Sequence, residues 1–176
     1  YAEQLNQKEG MSESAKASLE LRKSNNIFKQ AIDEYCGSFY FVFYNRLLAK
    51  DIAYQYLFRY IYLCTFSDYE NRLITKKGNI KTPIYESDLQ NILNLGRTET
   101  YKTKTVLIDL ELITNNQDKT MYINDSYCKR GVIKKNKKVG KSRMFDNAVK
   151  EIYENSNPIE HKKLALLIKI LPYISF

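Results

Sequence analysis

The stretch NILNLGRTETYKTKTVLIDLELI, Asn91 to Ile113, holds the residues best suited to chemistry on a polyanion. Arg97 and Lys102 carry fixed positive charge, and Thr98, Thr100 and Thr103 stand among them with short hydroxyls. A guanidinium can grip a guanine edge with two parallel hydrogen bonds, and an ammonium meets a phosphate as a point charge. The same stretch ends in Val106, Leu107, Ile108, Leu110 and Leu112. A polar front and an apolar back describe a helix that meets a ligand at one end and joins a core at the other. The blander alternative is a surface helix with a solvated face.

Charge points the same way. The net charge is +8, and Lys129 to Arg143, KRGVIKKNKKVGKSR, holds eight Lys or Arg and no acid. That one segment equals the whole excess, so the rest of the chain is balanced. A clustered excess favours a surface for nucleic acid or an anionic membrane over general solubility. Lys134, Lys135, Lys137, Lys138 and Lys141 are its candidates for binding phosphate, with a solvated linker as the alternative.

Catalytic chemistry finds little material. The lone histidine, His161, lies one turn into a predicted helix and is expected to be exposed. With the Asp and Glu residues it forms no recognisable triad or metal set. No glycine loop is built to cradle phosphate. Cys36, Cys64 and Cys128 are far apart and odd in number, and no CxxC spacing exists. Neither a zinc site nor a disulfide framework is expected, no cofactor is implied, and a reducing cytoplasm fits. No secretory leader pattern is evident. The most apolar stretch, FYFVFYNRLLAKDIAYQYLFRYIYLC, is broken by Asn45, Arg46, Lys50, Asp51 and Arg59, so it fails as a membrane span.

The elements that must position these residues follow from periodicity. With 176 residues, 44% hydrophobic and 27% charged, the chain suits one folded domain or two small ones. Residues 1–38 read as a polar arm, partly helical. SFYFVFYNRLL could be a strand or an extended edge. AKDIAYQYLFRYIYLCTF reads as a buried helix, with Ile52, Tyr56, Tyr60 and Leu63 on one face and tyrosines that follow the helical period as core residues. SDYENRLITKKGNIKT could be a loop or a short hairpin turn. Pro83 is expected in the first turn of a helix over PIYESDLQNIL. Gly96 then supplies the permissive backbone of a tight turn, and a helix runs from about Thr98 to Leu110. A β-hairpin follows, with its turn at QDK and Met121 and Ile123 on its second strand. KSRMFDNAVKEIYENS reads as a helix with Met144 or Phe145, Val149 (or Ala148) and Ile152 on one face. A last helix opens with Asn157 as cap, Pro158 at the first position and Glu160 three residues after the cap. Its apolar end leads us to expect that the chain continues or that this end meets a partner.

Helix, short strand or loop, helix, tight turn, helix, hairpin is the order of a winged helix-turn-helix. The expected fold class is therefore mainly α with a small β-hairpin (α+β), a winged helix-turn-helix plus flanking helices. Its parts would be the arm, the winged domain over residues 39–128, a basic linker over 129–142, and a C-terminal helical pair over 143–176. In such a unit the helix from about Thr98 sits in the recognition position. Tyr85 and Ser87, at the start of the preceding helix, could touch the DNA backbone, and Lys119 marks the wing tip.

The segments FYFVFYNRLLAKDIAYQYLFRYIYLCTFSDYENRLI, YESDLQNILNLGRTETYKTKTVLIDLELI and MYINDSYCKRG resemble the winged-helix DNA-binding proteins of Firmicute phages and plasmids. The closing HKKLALLIKILPYISF is similar to a segment that such phage proteins carry after the first winged helix. The resemblance spans roughly residues 39–176 and rests on pattern and order. It implies a phage regulator or a relative of plasmid replication initiators. One departure stands out: the family places apolar residues near Thr100 and Lys104.

The leading expectation is a sequence-specific double-stranded DNA-binding protein, a transcription regulator of a phage or other mobile element. A replication initiator would need the same module. A protein-interaction module that docks on replication or transcription machinery is the reading from another class. The last two helices could pair with a second copy in a homodimer, or cover the first domain's core.

Overall fold

Eight consecutive residues from Leu57 to Cys64 are buried, so the tyrosine-rich run becomes a helix enclosed on all sides. The structure, a computed structural model, describes residues 12–133 and 140–173. The chain divides into two units, Tyr1–Gly37 and Ser38–Phe176. The first contributes α1, Glu13–Cys36. Ser12 caps it: the Ser12 Oγ accepts the Ala15 N–H at 3.3 Å, satisfying one of the free donors of the first turn.

The second unit mixes helices with small antiparallel sheets. In chain order it holds β1 Phe39–Val42, α2 Tyr44–Leu47, α3 Tyr54–Cys64, β2 Ile74–Lys77 and β3 Ile80–Pro83. A 3₁₀ turn at Glu86–Asp88 leads into α4 Leu89–Leu93, α5 Arg97–Asp109, β4 Ile113–Asn115, β5 Met121–Ile123 and β6 Cys128–Lys129. Then come β7 Ser142–Phe145, α6 Asp146–Glu154, α7 His161–Ile170 and a 3₁₀ turn at Leu171–Tyr173. The central helix α3 lies along α7, with α5 and α6 also against it.

The strand β1 is the middle of a three-stranded antiparallel sheet in the order β6-β1-β7. Its alternation sends Tyr40 and Val42 into the core, and the Tyr40 hydroxyl donates to the Ile61 carbonyl at 2.7 Å. The partner strand β7 corrects the reading of KSRMFDNAVKEIYENS as one helix. Ser142–Phe145 pairs with β1, Tyr40 opposite Met144, and the helix starts only at Asp146. Met144 therefore enters the core from a strand, Val149 and Tyr153 from the helix, while Ile152 is left 45% exposed. Lys129 ends β6 and Ser142 begins β7, so both bounds of the expected linker are strand residues of this sheet.

Around β5 the backbone forms a second ladder. On one side β4 pairs Ile113 with Ile123 and Asn115 with Met121. On the other side Arg72 bridges Tyr122 and Tyr85 bridges Thr120. The Leu73 N–H donates to the Met121 carbonyl at 2.9 Å, and the Met121 N–H donates to the Ile84 carbonyl at 3.1 Å. Leu73 and Ile84 thus meet opposite one residue of β5, and the hairpin β2–β3 is the excursion between them. This resolves SDYENRLITKKGNIKT as a hairpin.

Pro83 does not open a helix. It ends β3 opposite Ile74, and the turn begins after Tyr85, whose N–H donates to the Asp88 carboxylate at 2.8 Å. Gly96 is likewise not the left-handed residue of the turn. Asn94 takes that conformation, with φ 48° and ψ 49°, which asparagine tolerates better than other side chains. Gly96 has φ −65° and caps α5, its carbonyl accepting the Thr100 N–H at 3.0 Å. Only half of the expected capping box forms. The Asn157 N–H donates to the Glu160 carboxylate at 2.8 Å, while the Glu160 N–H goes to the Asn157 backbone carbonyl rather than its side chain. Glu160, not Asn157, is the N-cap. The α-helix begins three residues after Pro158, at His161, and His161 is buried rather than exposed.

Candidate nucleic-acid interface

Helix α5 has two faces with different occupations. Thr100, Thr103 and Leu107 lie at helical spacing on one face and are buried. This takes Thr103 out of any DNA groove, while Thr100, 8% exposed, keeps only an edge toward solvent. Their hydroxyls bond inside the helix: Thr100 Oγ1 donates to the Gly96 carbonyl at 3.2 Å, and Thr103 Oγ1 donates to the Glu99 carbonyl at 2.8 Å. A threonine so satisfied can replace an apolar residue at a core position. Burial of Leu107 anchors the same face, a gain of about 1.5–3 kcal/mol.

Arg59 of α3 clamps this inner face. Buried itself, it donates from Nη1 to Glu99 at 2.6 Å and to Thr103 Oγ1 at 2.9 Å, and from Nε to His161 Nδ1 at 3.2 Å. One guanidinium thus ties α3, α5 and α7. His161 sits between the Phe58 ring, at 5.3 Å, and the Tyr153 ring, at 4.6 Å. Burial, reinforced by the Arg59 charge, pushes its pKa down to about 4, so it is a neutral acceptor near pH 7.

The outer face presents Arg97, Thr98, Tyr101 and Lys102, all exposed. Arg97 and Lys102 form no ion pair among the described residues. Tyr101 is 64% exposed and does not stand out by residue type alone; its place four residues after Arg97 is the signal that finds it. Lys104 turns aside, pairing with Glu86 and approaching the Tyr101 ring at 5.1 Å. Its ammonium holds the Glu86 carboxyl below the usual carboxylate range.

Beside this face opens a concavity of about 550 Å³. It gathers five of the residues expected from the sequence: Tyr85, Ser87, Arg97, Thr100 and Lys119. Glu86, Gln90, Tyr101, Lys104 and Asp118 also line it, so three cations face two carboxylates. Lys119 reaches it because the turn of the β4–β5 hairpin puts its backbone at φ 62°, a left-handed conformation. Its carbonyl accepts the Glu86 N–H at 3.2 Å, which fixes the hairpin tip to the turn before α4. Thr98 and Lys102 are not among the lining residues and face outward beside them.

The basic segment divides. Lys134, Lys135, Lys137 and Lys138 lie outside the described residues. Lys141 is exposed and stands 5.4 Å from the Phe41 ring centre, on the three-stranded sheet. Arg143 stands 4.5 Å over the Phe39 ring. Arg130 is buried and holds the fold together, with Nε on the Ser67 carbonyl at 2.6 Å and Nη2 on Asp146 at 2.8 Å. One of the eight cations therefore has its charge committed inside.

Cys64 and Cys128 are buried free thiols, and Cys36 is half-buried and free. Among the described residues no group of His, Cys, Asp or Glu is arranged to hold a metal ion, and no helix is long and apolar enough to cross a membrane. Comparisons with protein families, with curated proteins and with solved structures return no match.

Proposed function

We propose that this protein binds double-stranded DNA through a winged helix-turn-helix and acts as a transcription regulator of a phage or other mobile element. The observation that carries the DNA-binding reading is the outer face of α5. Arg97, Thr98, Tyr101 and Lys102 stand exposed on a helix whose inner face is bolted to the core by Arg59. A helix with a rigid back and a cationic, hydroxyl-bearing front is what the major groove requires. The order α3, ladder segment, α4, α5, hairpin supports the winged fold. In that fold α5 is the recognition helix, Lys119 is the wing tip, and Tyr85 and Ser87 meet the phosphate backbone before α4. The regulatory role rests on the resemblance of the sequence to phage and plasmid proteins.

The test is selection of bound duplexes from a random pool, followed by affinity measurements on the recovered motif. Arg97→Ala with Lys102→Ala should weaken that binding by about 1–3 kcal/mol for each base no longer gripped. Failure to enrich any sequence, with parent and double variant equal on every duplex, overturns the reading. The two carboxylates Glu86 and Asp118 in the concavity favour a second reading, a protein-docking module. That reading is preferred if affinity for DNA is absent, or is weak and insensitive to salt.

A further inference from the structure

The hairpin β2–β3 is built unlike the rest of the unit. From Thr75 to Thr82 every residue is exposed, on both faces of the ribbon. A two-stranded ribbon with no buried face gains little from its own packing. Its charges make matters worse. Lys76 stands directly opposite Lys81, and Lys77 opposite Ile80. Like charges facing across a ladder repel, and no acid lies between Arg72 and Tyr85 to relieve them. None of the three lysines forms an ion pair among the described residues. Asp146 feels the Lys76 charge but is already held by Arg130.

Position gives this arrangement a use. The hairpin leaves the ladder between Leu73 and Ile84, opposite Met121. That point is one residue from Tyr85 and two from Lys119, both in the concavity beside α5. A ribbon rooted there, bearing three unpaired cations and a 69% exposed Ile80 next to its tip, suits a partner with closely spaced negative charge.

We infer that the β2–β3 hairpin is a second DNA-contacting arm, whose Lys76, Lys77 and Lys81 grip the phosphate backbone flanking the site read by α5. The facing pair Lys76 and Lys81 brackets phosphate, which turns their mutual repulsion into attraction for the ligand. The grip carries no sequence information. It rests on the DNA-binding reading of α5, and the experiment separates the two.

The full chain is titrated onto the duplex enriched by selection and onto a scrambled duplex, over a range of salt. Each phosphate engaged steepens the slope of log affinity against log salt by about 0.9. Lys76→Gln, Lys77→Gln and Lys81→Gln together should make that slope shallower by about two to three. They should weaken both duplexes alike and leave the selected motif unchanged. Lys81→Glu separates binding from folding. It replaces a like-charged cross-strand pair by an opposite one, so the melting temperature holds or rises while DNA affinity falls. A triple variant with the parental slope, or Lys81→Glu with the parental affinity, overturns the inference while binding by the parent leaves α5 standing. A parent that binds neither duplex overturns both.

Discussion

The two faces of α5 use the same residue types for opposite ends. Thr103 points inward, accepts from Arg59 and donates within its own helix. Thr98, five residues earlier, stands exposed. Glu99 pairs inward with a buried arginine, while Arg97 and Lys102 are left to solvent. Residue identity therefore does not decide the role; the neighbour on the next helix does. Inner-face changes should cost stability and outer-face changes should cost binding.

The largest effect is expected from breaking the clamp. Glu99→Gln removes the counter-charge from Arg59, whose side chain is only 3% exposed. An uncompensated buried charge costs about 3–5 kcal/mol. Glu99 itself is 37% exposed, and water reaching the site moderates the loss, so a value near the lower end of about 3 kcal/mol is expected by urea denaturation. A loss below about 0.5 kcal/mol, typical of an ordinary surface substitution, would show that the clamp does not anchor α5.

Acid attacks the same clamp from α7. Folded His161 has its pKa lowered to about 4, against an ordinary 6.5 when unfolded. Between those values the unfolded chain binds the extra proton, so stability rises with pH there. The contribution is complete above about pH 6.5 and is lost as pH falls toward 4, a change on the order of 3 kcal/mol. Depressed carboxylates such as Glu86 and Asp118 lose stability over an acidic range too, so the histidine part is read as a difference. His161→Gln keeps an acceptor for Arg59 but does not titrate, and its stability should fall less steeply than the parent's below pH 6.5. Parallel pH profiles for the two would remove His161 from the clamp.

These contrasts explain what was legible in the sequence. The buried run of α3, the apolar back of α5 and the turn of the β4–β5 hairpin each appear where the sequence pattern puts them, except that α3 starts only at Tyr54 and leaves Ile52 buried ahead of it. Thr100 and Thr103 mislead because hydroxyl residues look polar, whereas a bond to the carbonyl four residues back lets them enter a core. Arg59, Arg130 and His161 look like surface groups until tertiary partners from distant segments surround them. Ser142–Phe145 extends a helical pattern, yet pairing with Phe39–Val42 makes it a strand. Order along the chain is enough to bring Tyr85, Ser87, Arg97 and Lys119 to one concavity. Rotation about the helix axis, which order does not reveal, is what takes Thr103 away from the outer face.

A pair of matched substitutions sharpens the comparison at smaller scale. Thr103→Val removes one acceptor and one donor from a buried network and should cost about 1–2 kcal/mol. Thr98→Val changes an exposed position and should stay within about 0.5 kcal/mol. Their effects on affinity for the selected duplex should run the other way, with Thr98→Val the more harmful to binding. Equal stability losses at the two positions would mean that α5 has no distinct inner face.

Lys119 offers a small effect and the cleanest sign. Its φ of 62° places a β-carbon in a conformation that costs an L-residue about 1–2 kcal/mol. Glycine adopts it freely but loses more entropy on folding, so Lys119→Gly should stabilise the protein by up to about 1 kcal/mol. The same change removes the cation at the hairpin tip from the concavity. Thermal denaturation and DNA titration of this one variant should then move in opposite directions, with melting upward and affinity downward. A lysine kept in a strained backbone only for its charge demands that outcome. A stabilised variant with parental affinity would instead make Lys119 a neutral occupant of the turn and confine the reading surface to the outer face of α5.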